Sequence, residues 1–164
     1  MFPSKSSIAG LLLLLPLAAS AADVVRHKIP GSDFPIAAAV EIPAGKTTVY
    51  VSGKVPAAID PSAPKDSQAA WGDTKAQTIS VLAQIKQQLE SMGLGMGDVV
   101  KMQAFLVGDP ALGGKMDFAG FMAGYTQFFG TKEQPNLPAR SAFQIAALGN
   151  PLWRVEIEVV AVRP

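Results

Sequence analysis

The stretch DTKAQTISVLAQIKQQLESMG, residues 73–93, and the run VVKMQAFLV, residues 99–107, carry the fold reading. In the first, Ile79, Leu82, Ile85, Leu89 and Met92 recur at helical spacing, Asp73 offers an N-cap and Gly93 a C-terminal stop, so a helix is predicted over 74–92. In the second, Lys101 and Gln103 alternate with Val100, Met102 and Ala104 in an otherwise apolar run, which predicts a buried strand over 99–107.

Upstream, 24–29 and 36–42 read as short strands, and the β-branched and aromatic run 47–52 as a third that Gly53 closes. Downstream, Phe118, Phe121, Met122, Tyr125, Phe128 and Phe129 form one large apolar stripe, predicting a buried helix over 118–129. Segments 139–148 and 152–162 read as strands, the latter alternating Val155, Ile157 and Val159 against Arg154, Glu156 and Glu158. The order β-β-β-α-β-α-β-β predicts an α+β two-layer fold, with two helices on one face of a mixed six-stranded sheet. The segment 55–72, rich in Ala, Pro, Ser and Asp, reads as a surface excursion. Two helices cover only one face, while strand 99–107 is apolar on both, so the open face is expected to pack against another subunit.

Composition narrows the chemistry. The chain has 164 residues, 49% apolar and 16% charged, which excludes wholesale disorder and fits one domain. Without cysteine there is no disulfide or thiolate zinc site, and one histidine, His27, builds no histidine-rich metal centre. Residues 1–22 read as a signal peptide: Lys5 precedes an apolar run from Ile8 to Ala19, and Ser20, Ala21 and Ala22 suit signal peptidase. The apolar run is short for a membrane span and is broken by Pro16, so the expectation is a single domain over 23–164, periplasmic or secreted, with no membrane attachment after cleavage. Removing Lys5 leaves equal numbers of basic and acidic side chains, a balance poorly suited to nucleic acid.

Familiar catalytic motifs fail on context. Gly93, Gly95 and Gly97 follow a helix and precede a strand, the reverse of a dinucleotide fingerprint. Gly113, Gly114 and Lys115 lack the Ser or Thr of a P-loop, there is no G-x-S-x-G elbow, and His27 reads as an ordinary strand residue. What remains is Arg140, in PARS at 138–141, and Glu156 and Glu158 in the last strand. Arginine presents a charged planar fork that grips a carboxylate bidentately. In an antiparallel pairing of the last two strands, one glutamate is expected to approach the arginine's strand. On residue type alone a solvated Arg–Glu pair, worth little to stability, is the simpler reading.

VSG at 51–53, GDVVK at 97–101, PARS at 138–141 and VEIEVVAVR at 155–163, in that order, resemble the Rid family of reactive intermediate deaminases, also called the YjgF family. The resemblance spans the mature chain and outweighs the surface-pair reading. It implies a chorismate-mutase-like fold, a homotrimer with ligand clefts between subunits, and hydrolysis of 2-imino or enamine acids to 2-oxo acids and ammonia without a cofactor. By position, it gives Arg140 the substrate carboxylate and Glu156 the water. Ile36, Ser52, Gly53, Met122 and Ala142 fall at substrate-binding positions. The deaminase branch commonly has tyrosine where this chain has Ile36, asparagine at Met122 and often cysteine at Ala142, so a more apolar pocket is expected. The chemistry fits those side chains, since an oriented carboxylate and one acid/base group suffice for an imine that already hydrolyses spontaneously. The alternative is a non-catalytic trimeric binder of small carboxylates. The endoribonuclease L-PSP label attached to such proteins fits poorly with balanced charge and a single histidine.

Overall fold

A computed structural model describes residues 23–164; the expected leader at 1–22 lies outside the described residues. In chain order the elements are β1 (Val25–Lys28), β2 (Ala37–Glu41), β3 (Thr48–Lys54), α1 (Gln68–Trp71), α2 (Thr74–Ser91), β4 (Val99–Val107), α3 (Phe118–Tyr125), β5 (Ala139–Ile145) and β6 (Val155–Val162). The Asp73 carboxylate accepts the Ala76 N–H at 2.8 Å, and Gly93 takes φ 71° past the end of α2, as the sequence demands of a cap and a stop. The strands form one mixed sheet in the order β1-β2-β5-β4-β6-β3, with β5 parallel to both β2 and β4. The α+β class and the six strands are as expected.

Strand alternation decides which side chains meet the helices. Met102, Ala104 and Leu106 of β4 and Val155, Ile157, Val159 and Ala161 of β6 pack in one core with Leu82, Ile85 and Leu89 of α2 and Phe121 and Tyr125 of α3. Their strand neighbours, Lys101, Gln103 and Phe105 on β4 and Glu156, Glu158 and Val160 on β6, point to the side without helices. Tyr50, 81% exposed, and the exposed Ile42 and Phe143 share that open face.

Four expectations need correction. Segment 55–72 is a surface excursion, exposed from Ala57 to Ser62, but not a structureless one: it contains α1, buries Ala70, and docks Trp71 edge-on against Trp153 at 5.8 Å, so the described residues form three α-helices rather than two. Gly53 does not close β3, which runs on to Lys54 through a register shift beside β6. The buried face of α2 is rotated toward Thr74, Gln77, Thr78 and Val81, leaving Ile79 half-buried. Gln77 tolerates burial because its amide donates to the Leu152 carbonyl at 2.9 Å while its oxygen accepts the Arg154 N–H at 2.6 Å. Finally, β5 and β6 are not paired; β4 lies between them.

The two long helices touch closely at Gly124. A methyl group there would sit 2.7 Å from Thr78 Cβ and 3.1 Å from the Lys75 carbonyl oxygen. Gly124→Ala is therefore expected to destabilise by about 1–3 kcal/mol through overpacking. A urea midpoint equal to that of the unaltered protein would show that α2 and α3 separate freely at this point.

Candidate functional site

Arg140 stands second in β5, in register with the fully buried Met102, so its side chain projects onto the helix-covered face. There the α3 stripe meets it. The guanidinium carbon lies 4.2 Å from the Tyr125 ring centroid, 5.0 Å from Phe121, 6.0 Å from Phe118 and 5.5 Å from Phe34 of the β1–β2 loop. Such faces attract a cation by about 0.5–2 kcal/mol apiece, the higher figure when it is desolvated. The ring faces supply no hydrogen-bond acceptors for its N–H groups; the Tyr125 hydroxyl is the polar atom of the cage near enough to interact with the guanidinium. Nη1 is buried without a hydrogen-bond partner, and among the described residues no carboxylate forms an ion pair with it. Burial lowers the Arg140 pKa, opposed by the nearby Tyr125. A buried guanidinium with a vacant donor is costly to the folded chain and suited to an anion that fills it.

Tyr125 has its own task. Its hydroxyl donates to the Pro35 carbonyl at 2.8 Å, tethering the loop that carries Phe34 and Ile36. Burial pushes its pKa up to about 12 despite the Arg140 charge, so the hydroxyl keeps its proton and remains a donor.

The outer edge of β5 adds main-chain groups. β2 pairs with β5 only at Ala37–Ala139, and the Ala37 N–H donates to the Pro138 carbonyl at 3.0 Å. Successive residues of a strand aim their N–H and C=O groups to alternate sides. Arg140 and Ala142 therefore present theirs on the side of Pro138: the Arg140 N–H completes the parallel bridge to Ala37, while the Arg140 carbonyl and the Ala142 groups lie beyond the point where β2 ceases to pair. Into this gap opens a cleft of about 390 Å³, lined by Ile29, Ile36, Ala38, Lys101 and Arg140 among others. Ala142, in register with the buried Ala104, lies on the Arg140 face. Met122 is half-buried on α3, beside Phe121 in sequence, and packs against the core.

Glu156 belongs elsewhere. It is in register with Phe105, whose ring meets Phe143 edge-on at 5.2 Å on the open face. Its carboxylate occupies the space left by Gly53: a Cβ at that position would fall 2.2 Å from Glu156 Oε1. Ser52 is exposed on the same face and lines a second cavity with Tyr50, Lys101, Gln103 and Glu158. The expected residues thus form two groups. Arg140, Ile36 and Ala142 sit at the β2–β5 gap, with Met122 on the helix above that face, whereas Ser52, Gly53 and Glu156 sit across the sheet at the β3–β6 side. The expected approach of a glutamate to the arginine's strand does not occur within one chain, because β4 intervenes and the side chains leave opposite faces. His27 is an exposed strand residue, 2.6 Å from Glu41.

Sequence reasoning missed the cage of Phe34, Phe118, Phe121 and Tyr125. Three of those rings belong to the apolar stripe that reads as ordinary core, and the available signal is an aromatic helix stripe facing a strand arginine with no acid beside it.

Comparison with known proteins gives consistent results. The family model described as Endoribonuclease L-PSP matches residues 30–163. A 2-iminobutanoate/2-iminopropanoate deaminase of Salmonella typhimurium is 35% identical over 115 residues, 70% of this chain and 79% of that protein. Among solved structures, the Rid-family protein YyfB of Yersinia pestis is 26% identical with TM-score 0.62, covering 84% of this chain and 98% of its own. Escherichia coli TdcF with bound serine is 29% identical with TM-score 0.56, covering 84% and 94%.

Proposed function

From the premise that the chain belongs to the Endoribonuclease L-PSP family, the Rid or YjgF family of the sequence resemblance, we propose that it hydrolyses 2-imino acids to 2-oxo acids and ammonia. The observation that carries this reading is the vacant, buried Nη1 of Arg140 beside an unpaired strand edge. A 2-imino acid has a carboxylate for that guanidinium, and an imine nitrogen within reach of the main-chain groups of Arg140 and Ala142. The deaminase from Salmonella and the serine-bound TdcF support a small ligand of this kind.

The reaction adds water across C=N. The water oxygen bonds to C2 while one of its protons passes through Glu156 to the imine nitrogen, giving a carbinolamine; the hydroxyl proton then follows by the same route to the amine, the C2–N bond breaks as the C2–O double bond forms, and ammonia leaves the 2-oxo acid. An enamine such as 2-aminoacrylate enters after tautomerising to its imine. One well-placed acid/base group contributes about 10²–10⁴-fold. Glu156 and Arg140 leave opposite faces of one sheet, so this mechanism assigns them to two copies of the chain, meeting where the open face of one protomer is covered by its neighbour. A homotrimer is the assembly we propose. We also place it outside the cytoplasm, on Lys5, the Ile8–Ala19 apolar run and the small residues at 20–22.

The test supplies imines from an amino-acid oxidase and follows 2-oxo acid formation against buffer; no acceleration by the purified protein overturns the reading. Gly53→Ala sharpens it. Gly53 does not require a positive φ, so alanine is tolerated by the backbone, but its methyl group must push the Glu156 carboxylate aside. Expected is a fall in kcat of about tenfold or more, since small misplacements of a reacting group are costly, with Tm nearly unchanged.

A further inference from the structure

The walls of the cleft beside Arg140 say more about the substrate than its carboxylate does. Its lining at the β2 side is aliphatic, Ile29, Ile36, Ala37 and Ala38, and the Phe34 ring, 40% exposed, lies over the guanidinium at 5.5 Å. The loop bearing Phe34 and Ile36 is not free to swing away. The Tyr125 hydroxyl holds the Pro35 carbonyl, the Ile36 N–H donates to the Phe34 carbonyl at 2.8 Å, and Ser32 Oγ accepts the Phe34 N–H at 3.1 Å. No acid, amide or hydroxyl side chain lines the cleft apart from Ser141, and the only other charge is Lys101.

Resting on the imine-hydrolase reading, we propose that Phe34 and Ile36 determine specificity and select 2-imino acids with large apolar side chains, branched or aromatic, over those carrying methyl or hydroxymethyl groups. With the carboxylate fixed on Arg140, the substituent at C2 must lie against neighbouring walls. The walls on the β2 side, Ile29, Ile36, Ala37 and Ala38, offer only carbon to that substituent, rewarding each added methylene and giving a hydroxyl nothing to bond. The source of such imines is oxidation of hydrophobic amino acids at the α-carbon, a reaction class that delivers the 2-imino acid directly.

The experiment generates imines with an amino-acid oxidase from alanine, 2-aminobutyrate, leucine and phenylalanine, and measures how fast the protein removes each. The expected result is a kcat/KM about tenfold or more higher for the leucine and phenylalanine imines than for the alanine imine, in line with the known selectivity of hydrophobic pockets for added methylenes. In Phe34→Ala and Ile36→Asn that ratio should fall several-fold. Both positions lie on the tethered loop outside the core cluster, so the variants are expected to fold, which circular dichroism checks. Equal rates for all four imines, or preference for the smallest, overturn the specificity assignment while leaving imine hydrolysis standing. A leucine preference that survives both substitutions overturns the roles of Phe34 and Ile36. No acceleration of any imine overturns the functional reading and this inference together.

Discussion

Arg140→Met removes imine hydrolysis, lowering kcat/KM by about 10² or more as a charge-assisted grip on the carboxylate and the orientation it imposes are lost together. Stability moves the other way or not at all. The wild-type side chain keeps a charge among four aromatic rings with Nη1 unpartnered, and methionine fills similar volume with no ionic group to desolvate. Replacing buried charge by a packed apolar chain is commonly neutral or stabilising, by about 1 kcal/mol or more. Thermal melting and kinetics on the same preparation separate the two effects. A large drop in Tm with Arg140→Met would mean that the guanidinium holds α3 to β5, a structural duty at odds with its vacant donor. Arg140→Lys is an informative partner: it keeps positive charge but lacks the planar fork, so it should recover little of the lost rate.

That vacancy shows where the sequence stopped being readable. Helix α2 was legible because its cap, its stop and most of its apolar period agree, and β4 because Lys101 and Gln103 alternate with the buried Val100, Met102 and Ala104 in an otherwise apolar run. The fold class follows from such local signals. Strand order does not. Chain adjacency favoured pairing β5 with β6, but β5 runs parallel to β4, and β6 returns on the far side of β4, an arrangement that depends on contacts distant in sequence. The path of β3 through Gly53 was hidden for a related reason: glycine signals a strand end as readily as a close approach, and only the Glu156 carboxylate packed beside it distinguishes them. Arg140 and Glu156 were visible as residue types. That they leave opposite faces required knowing which neighbours their strands take, since alternation fixes a side chain's face only relative to its own strand.

Opposite faces lead to the second large effect. Arg140→Met and Glu156→Ala should each be nearly inactive alone, yet mixing the two after partial denaturation and refolding together should restore activity. If every site takes its arginine from one protomer and its glutamate from the next, each mixed trimer contains one interface where both are intact. Random assembly of equal amounts then gives about a quarter of the wild-type site number in a closed threefold ring. Against single variants reduced about 10²-fold or more, as loss of a catalytic acid/base group predicts, such recovery is easily measured. It also has a distinct signature: activity should appear only after subunit exchange and rise with the fraction of mixed trimers. If both groups instead acted from one chain, exchange would restore nothing, because every protomer would carry one defect wherever it sat. No recovery despite mass-spectrometric proof of mixed trimers would therefore place the two groups in the same subunit's chemistry, and the β4 strand between them would have to be bridged in some other way.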